Sequence, residues 1–397
     1  MSTISLTPSL KKRIFWLVLL AVVIGIFGMD SFLPSLPPLA TDLHASARDA
    51  KLTISLYFMS SGIFPLLWGP LADRYSRKNI LLIGLSIAVL GSLLCCCATS
   101  MHHILWGRFI QGVGLATVWS VGRALLNDAF QGKELVIVSG HFGMALAAMP
   151  ACAPTIGGYI QHFWGWRANF ITLLGLIVGL IFILWKWLPD HTHTPNRTVK
   201  WGSAARSYGI LLRSRGFMTG AMGATFTLSG LLAYITISPF LFEHTLGLSP
   251  VHFGWLSFVT GLGIFLGSLS SNWISNRLPA HRVMQVATTL LMIPSLFILG
   301  MGIAGYLSIW VIILPITVIV GAMQWLFAHC YAYSTEQGAQ QGAGTLSALY
   351  SAIQFLGTAG ATIVAAYVQA TSLIPVGSLL LIFFIPVAIL IGLIKKP

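Results

Sequence analysis

Charge is what this sequence has least of. Only 8% of its 397 residues are Asp, Glu, Lys or Arg, where a soluble domain carries about 25%. Acid is scarcer than base, with 9 Asp and Glu against 22 Lys and Arg. So little charge cannot cover a water-soluble globule, and that class is excluded. Cysteine is also rare: Cys95, Cys96, Cys97, Cys152 and Cys330 are odd in number and all sit in apolar stretches. They read as small buried apolar residues rather than a disulfide framework. No cluster of His, Cys, Asp and Glu has ligand spacing, so no metal is expected. H-E-x-x-H, a nucleophile elbow and a phosphate loop are missing from any fitting context, so the chain is not expected to be an enzyme. Gly261, Gly263 and Gly267 mimic a dinucleotide fingerprint, but no strand precedes them, and helix packing is the better reading.

What is there is apolar. Hydrophobic residues make up 56% of the chain, and the mean hydropathy is +0.85. A bilayer core needs about 20 mostly apolar residues per helix, and the chain divides into about twelve such runs. They are placed near 14–34, 51–71, 80–99, 104–126, 135–160 and 168–188, then near 217–242, 251–274, 283–303, 307–333, 343–369 and 373–394. The expected class is an all-α, polytopic membrane protein. The first run is not read as a cleaved signal peptide, because Asp30 and prolines interrupt its end and no clear small-residue cleavage site follows. The one long polar stretch, 189–215, divides the spans six and six and reads as a linker; His191 and His193 are linker residues there, not ligands.

The net charge of +13 invites a nucleic-acid reading, but its distribution argues against one. With the amino terminus inside, nearly every Lys and Arg falls in a cytoplasmic segment, and the external loops keep only Arg48, Lys51 and Arg167. That asymmetry is the orientation rule for bacterial membrane proteins, with both termini cytoplasmic. The basic face is expected to meet anionic lipid of the inner leaflet.

Within the apolar spans, a few polar residues stand out. The turn from Gly69 to Lys78 carries Asp73, Arg74, Arg77 and Lys78 between two apolar runs, so it joins antiparallel neighbours on the cytoplasmic side. Gly69 is expected to allow close helix approach, Pro70 to weaken the helix before it, and Asp73 to favour the start of the next helix. Asp30 ends the first span, before Pro34 and Pro37. A carboxylate at hydrocarbon depth must face protein or water, which makes it a substrate or proton site, unless the prolines end the helix and leave it solvated. Arg108 cannot shed its charge and needs carbonyls, a carboxylate or a wet cavity; Gln111 lies on its face at i+3. Arg108 could equally tie two helices through a buried network. The fifth span holds Pro150, Pro154, Gly157 and Gly158, a pattern for kinking and close packing.

Together these stretches resemble the major facilitator superfamily. Gly69, Leu71, Asp73, Arg74, Arg77 and Lys78 match its signature loop, with Ser76 in place of the second glycine. Arg108, Gln111, Gly112 and Gly114 resemble its helix-4 motif, Pro154, Gly157 and Gly158 the antiporter motif of helix 5, and Asp30, Pro34 and Pro37 the first helix of bicyclomycin-resistance-type drug exporters. The resemblance implies twelve helices in two six-helix bundles, 1–188 and 216–397, joined by the cytoplasmic linker 189–215. It implies proton-coupled efflux of small amphipathic, drug-like compounds by alternating access, with no cofactor beyond the proton gradient. It places proton or substrate coupling at Asp30, Arg108 and Gln111. It also implies a conformational lock in which the loop charges and Arg123 meet Asp128 at the inner end of helix 4, with Arg77 as partner. A degenerate second copy of the loop is expected after span 8, at Gly267 to Leu269 and Arg277. Cavity candidates are Tyr234, Ser238, Gln324, Trp325, His329, Tyr350 and Gln354. Ser238 with Pro239 and Phe240 resembles helix 7 of the bicyclomycin type. The chain is expected to act as a monomer. Alternatives are export, or less readily import, of an endogenous metabolite such as a siderophore or amino-acid derivative, and a membrane sensor or assembly factor that transports nothing.

Overall fold

A computed structural model describes residues 7–130, 132–189, 201–338 and 343–394; the side chains at 73 and 272 and many of those at 132–147 and 201–205 lie outside the described set. The described residues are almost entirely helical. In order come α1 (Pro8–Asp30), α2 (Leu36–Asp42), α3 (Ala47–Ile63), α4 (Pro65–Arg74), α5 (Arg77–Cys96), α6 (Met101–Ala129), α7 (Gly132–Trp164), α8 (Trp166–Trp187) and α9 (Trp201–Arg213). The second half holds α10 (Arg215–Phe240), α11 (Pro250–Ser275), α12 (Ala280–Ile303), α13 (Ile309–Gly338), α14 (Ala343–Ala366) and α15 (Leu373–Gly392). Among the described residues, 11 helical stretches are long and apolar enough to cross a membrane. The predicted fifth span falls in α7, a further helix of 33 residues.

Local chemistry sets the boundaries. Ser46 caps α3, its hydroxyl accepting the Asp49 N–H at 3.1 Å. Proline opens α1 and α4, where no N–H is needed. Gly165, at φ +78°, makes the tight turn from α7 to α8. Exposed Trp16, Trp185 and Trp187 at one end of the helices, and Trp106, Trp164 and Tyr367 at the other, are the amphipathic side chains that mark membrane–water boundaries.

Several expectations are corrected. The first span does not stop at its prolines: a 3₁₀ turn, Leu33–Ser35, and α2 carry the chain on through buried residues, so Asp30 is not solvated but only 5% exposed. The run 51–71 breaks at Phe64, because Pro65 starts a separate α4. Pro70 sits inside α4 without ending it, and Asp73 lies in its last turn, not before α5. A side chain at Gly69 would meet nothing within 4 Å, so this glycine serves no close approach. Gly267 to Leu269 belong to α11 rather than to a loop, and Gly267 packs against Gly321 of α13. In the linker, 190–200 lie outside the described residues, and the rest is largely α9.

The helices sort into two groups, α1–α8 and α10–α15, that pack chiefly within themselves. They meet along two seams, α3 against α14 and α7 against α11. Gly158 lets α7 close on α11, since a methyl there would strike the Pro250 carbonyl; Gly157 serves packing within the first half, where a methyl would strike the Ser31 carbonyl beyond α1. The polar bonds that cross between the halves, among the described residues, all lie at the end where α1 finishes and α3 begins. They are Lys51 to the Val368 carbonyl at 2.7 Å, Thr155 to the Gly254 carbonyl at 2.8 Å and Trp255 to the Tyr159 hydroxyl at 3.2 Å.

Candidate transport cavity

A cavity of about 960 Å³ lies between α1 and α7 on one side and α10, α11 and α13 on the other. That is the size of a pocket for a drug-like molecule. Its wall is mostly Leu, Ile, Phe and Val. Among the described residues Asp30 is the single charged one on that wall. Among the described residues its carboxylate forms no ion pair or hydrogen bond; Arg108 attracts it only across a gap. Hydroxyls supply most of the remaining polarity. Ser257, Thr260, Ser268 and Ser271 follow one face of α11, joined by Tyr234 and Ser238 of α10 and Gln324 of α13.

Arg108 is in a different place. It is 1% exposed and absent from the cavity wall. One Nη1–H donates to the Gly28 carbonyl at 2.9 Å, another to Gln111 Oε1 at 2.9 Å, and Gln111 Nε2 passes the chain on to Ser92 Oγ at 2.9 Å. The Gly28 carbonyl is one of the last in α1, where no intrahelical donor follows, so the cation caps that helix and suits its negative end. The guanidinium lies between the Phe32 ring, 4.0 Å away, and the Tyr57 ring, 4.4 Å away. Stacked aromatic faces are a fitting shell for a charge that cannot be neutralised. The alternative anticipated from sequence, a buried network tying helices, is the geometry found. Gly112 and Gly114 let α3 and α5 close on α6.

At the far end of the helices Arg77 meets Asp128 at 2.5 Å, with a further bond from Nη2 at 3.2 Å. Both belong to the first half, so the pair binds the 74–78 turn to α6 and does not by itself bridge the halves. Arg74 is exposed over the Tyr75 ring, and Arg123 is exposed; the Asp73 side chain lies outside the described residues.

Comparison with known proteins places this architecture. The profile of the Major Facilitator Superfamily matches residues 18–362. The chain belongs to that superfamily. A Bacillus subtilis relative described as an uncharacterized MFS-type transporter is 28% identical over 387 residues, covering 94% of both chains. The bicyclomycin resistance protein homolog of Haemophilus influenzae is 25% identical, covering 83% of this chain and 82% of its own. Multidrug resistance protein D of Escherichia coli is 24% identical, with 86% and 85% covered. A solved bacterial homologue of the human lysosomal transporter Spinster, inward-facing and unoccupied, shares the fold with TM-score 0.68 at 16% identity, over 90% of this chain and 82% of that one. The protein is therefore a multi-pass membrane transporter of small molecules and not an enzyme.

Within the superfamily fold, the cavity candidates divide. Tyr234, Ser238 and Gln324 line the cavity, as do Pro150 and Pro154. Trp325, His329, Tyr350 and Gln354 do not. Trp325 donates to the Gly267 carbonyl at 3.1 Å and His329 pairs with Ser275 at 3.3 Å, so both stitch α13 to α11; Tyr350 packs edge-on against Tyr331. Trp325 and His329 share α13 with lining residues but sit on other faces, while Tyr350 and Gln354 lie on α14, which contributes no described residue to the wall. Sequence reasoning missed the hydroxyl face of α11, which Ser257, Thr260, Ser268 and Ser271 trace at helical spacing. It also missed Phe32 and Tyr57 around Arg108, which no spacing rule connects.

Proposed function

We propose that this transporter exports small amphipathic, drug-like compounds across the bacterial inner membrane in exchange for protons, by alternating access. The observation that carries the reading is Asp30: one acid on the wall of a large apolar cavity, with no ion-pair partner among the described residues. An ionisable group at membrane depth belongs to a substrate or proton pathway. A lone carboxylate can hold a proton or a substrate's polar group, and exchange of one for the other couples the two fluxes. The drug-resistance names of its relatives support efflux. An acid without a basic neighbour on the wall favours neutral or basic compounds over anionic ones.

On this reading the positive-inside asymmetry puts both termini and the Arg77–Asp128 turn in the cytoplasm, and α7 completes twelve spans. The cross-half bonds at the other end then close the periplasmic side, so substrate enters from the cytoplasm or inner leaflet. The basic face rests on anionic lipid, and one chain suffices for transport.

Replacing Asp30 by Asn keeps size and polarity but removes the titratable group. Export driven by a proton gradient in inverted vesicles should fall to background. Unimpaired gradient-driven export by that variant would remove Asp30 from coupling.

A further inference from the structure

Lys51 stands in the first turns of α3, close to the end of a span. A lysine there can reach water at little cost by extending outward. It does the opposite: it is 3% exposed and turned into the other half of the molecule. Its ammonium donates to the Val368 carbonyl at 2.7 Å and lies 5.2 Å from the centre of the Phe240 ring. The carbonyl is well placed to receive it. Val368 follows the end of α14, where carbonyls lack helical donors. The segment is also anchored, since the Thr245 hydroxyl donates to the Ala370 carbonyl at 2.9 Å, and Arg48 covers the Tyr367 ring at 4.3 Å. Phe240 closes α10, directly before the π-turn Leu241–Thr245 that brings Phe242 onto the cavity wall.

We propose that Lys51 is the pin of the periplasmic gate: its ammonium holds the two halves shut over the cavity through the Val368 carbonyl and the Phe240 face, and releases both whenever the cavity opens outward. The inference rests on the alternating-access reading above. Opening at this end must separate α3 from α14 and α10, and among the described residues Lys51 is the one whose buried charge is satisfied only by the far side. An unpartnered ammonium could not stay in the seam, so release and hydration go together.

The test uses the full chain with its native cysteines replaced and Leu33, on the cavity wall, changed to Cys. Right-side-out vesicles are exposed to a membrane-impermeant maleimide. Lys51→Met should raise the labelling rate about tenfold, the scale of one hydrogen bond from a charged donor. Lys51→Arg, which keeps charge and donors, should stay near the parent rate. Phe240→Leu, which keeps bulk but loses the ring face, should raise it about twofold, and serves if the methionine variant fails to fold. If Lys51→Met and Phe240→Leu label at the parent rate while the parent itself responds to an imposed proton gradient, the pin is refuted and alternating access stands. If the parent never responds, alternating access falls, whatever the Lys51 variants do.

Discussion

The first half of the chain satisfies its large buried polar groups across helices, though Thr53, Ser60, Ser92 and Thr117 bond their own helix, and the second half satisfies its buried polar groups mostly within helices. In the first half Arg108 reaches from α6 to α1, Gln111 to α5, Asn169 of α8 to Ser35 at 2.9 Å, and Trp68 of α4 to the Val113 carbonyl of α6 at 2.9 Å. In the second half every fully buried polar residue among those described is a serine or threonine. Thr225, Thr227, Thr236, Thr288 and Ser295 each donate to a carbonyl four residues back on their own helix. Such bonds satisfy the hydroxyl without fixing a neighbour. The exceptions, Trp325, His329 and Ser334, gather in the carboxy-terminal half of α13. One bundle is therefore cross-linked by polar side chains and the other is held together largely by apolar packing. The cavity takes its acid from the first and most of its wall from the second. A rigid frame for Asp30 and an adaptable wall for substrate suit a transporter that accepts many shapes, since apolar surfaces re-pack more readily than hydrogen-bond networks.

The sharpest way to break this contrast is at Arg108. Replacement by Met leaves the Gly28 carbonyl and Gln111 Oε1 without their donor. Two orphaned acceptors at roughly 1–3 kcal/mol each should cost about 3 kcal/mol of stability. Gln324→Met, on the other half and on the cavity wall, should change stability little. Melting temperatures in detergent decide between them; equal losses would show that the first bundle is no more cross-linked than the second.

A smaller effect is expected at Arg77. Its side chain is 8% exposed and that of Asp128 22%, so the pair is neither fully buried nor a surface contact. Arg77→Gln should cost about 1 kcal/mol, between the values for exposed and buried charge-assisted bonds. Because both partners lie in one half, the loss should appear as faster hydrogen exchange in the 69–78 turn, with the rest of the first bundle unchanged. Exchange that quickened across both halves would mean the pair controls their association instead.

How far the sequence could be read follows from the same contrast. The spans and the packing of Gly112, Gly114, Gly157 and Gly158 were legible because hydrophobic length and small-residue spacing are local properties, whereas the Arg77–Asp128 contact was legible only through the family resemblance. The failures came where a side chain's direction decides. Lys51 reads as an external loop charge, yet α3 begins early enough to turn it into the seam. Arg108 and Asp30 look like ion partners, yet the cation faces the interior of its own bundle while the acid faces the cavity. Trp325 and His329 have the right chemistry on a lining helix, but rotation about a helix axis cannot be inferred where most of its faces are apolar; Tyr350 and Gln354 lie on α14, which contributes no described residue to the wall.

The finest test lies on the adaptable wall. Ser257 and Ser271 both line the cavity; the Ser257 hydroxyl donates to its own helix at the Phe253 carbonyl, 3.1 Å away, leaving its lone pairs toward the space. Changing both to Ala removes little that holds the fold, so stability should shift by under about 0.5 kcal/mol. What should change is the ranking of exported compounds. Those with hydrogen-bond donors that reach α11 lose about fivefold in apparent affinity, the worth of one neutral hydrogen bond, while purely apolar compounds keep theirs. Transport of a graded compound series by the parent and the double variant measures this. A uniform loss across the series would place the hydroxyls in the transport cycle itself rather than in recognition, and would make the second half more than a wall.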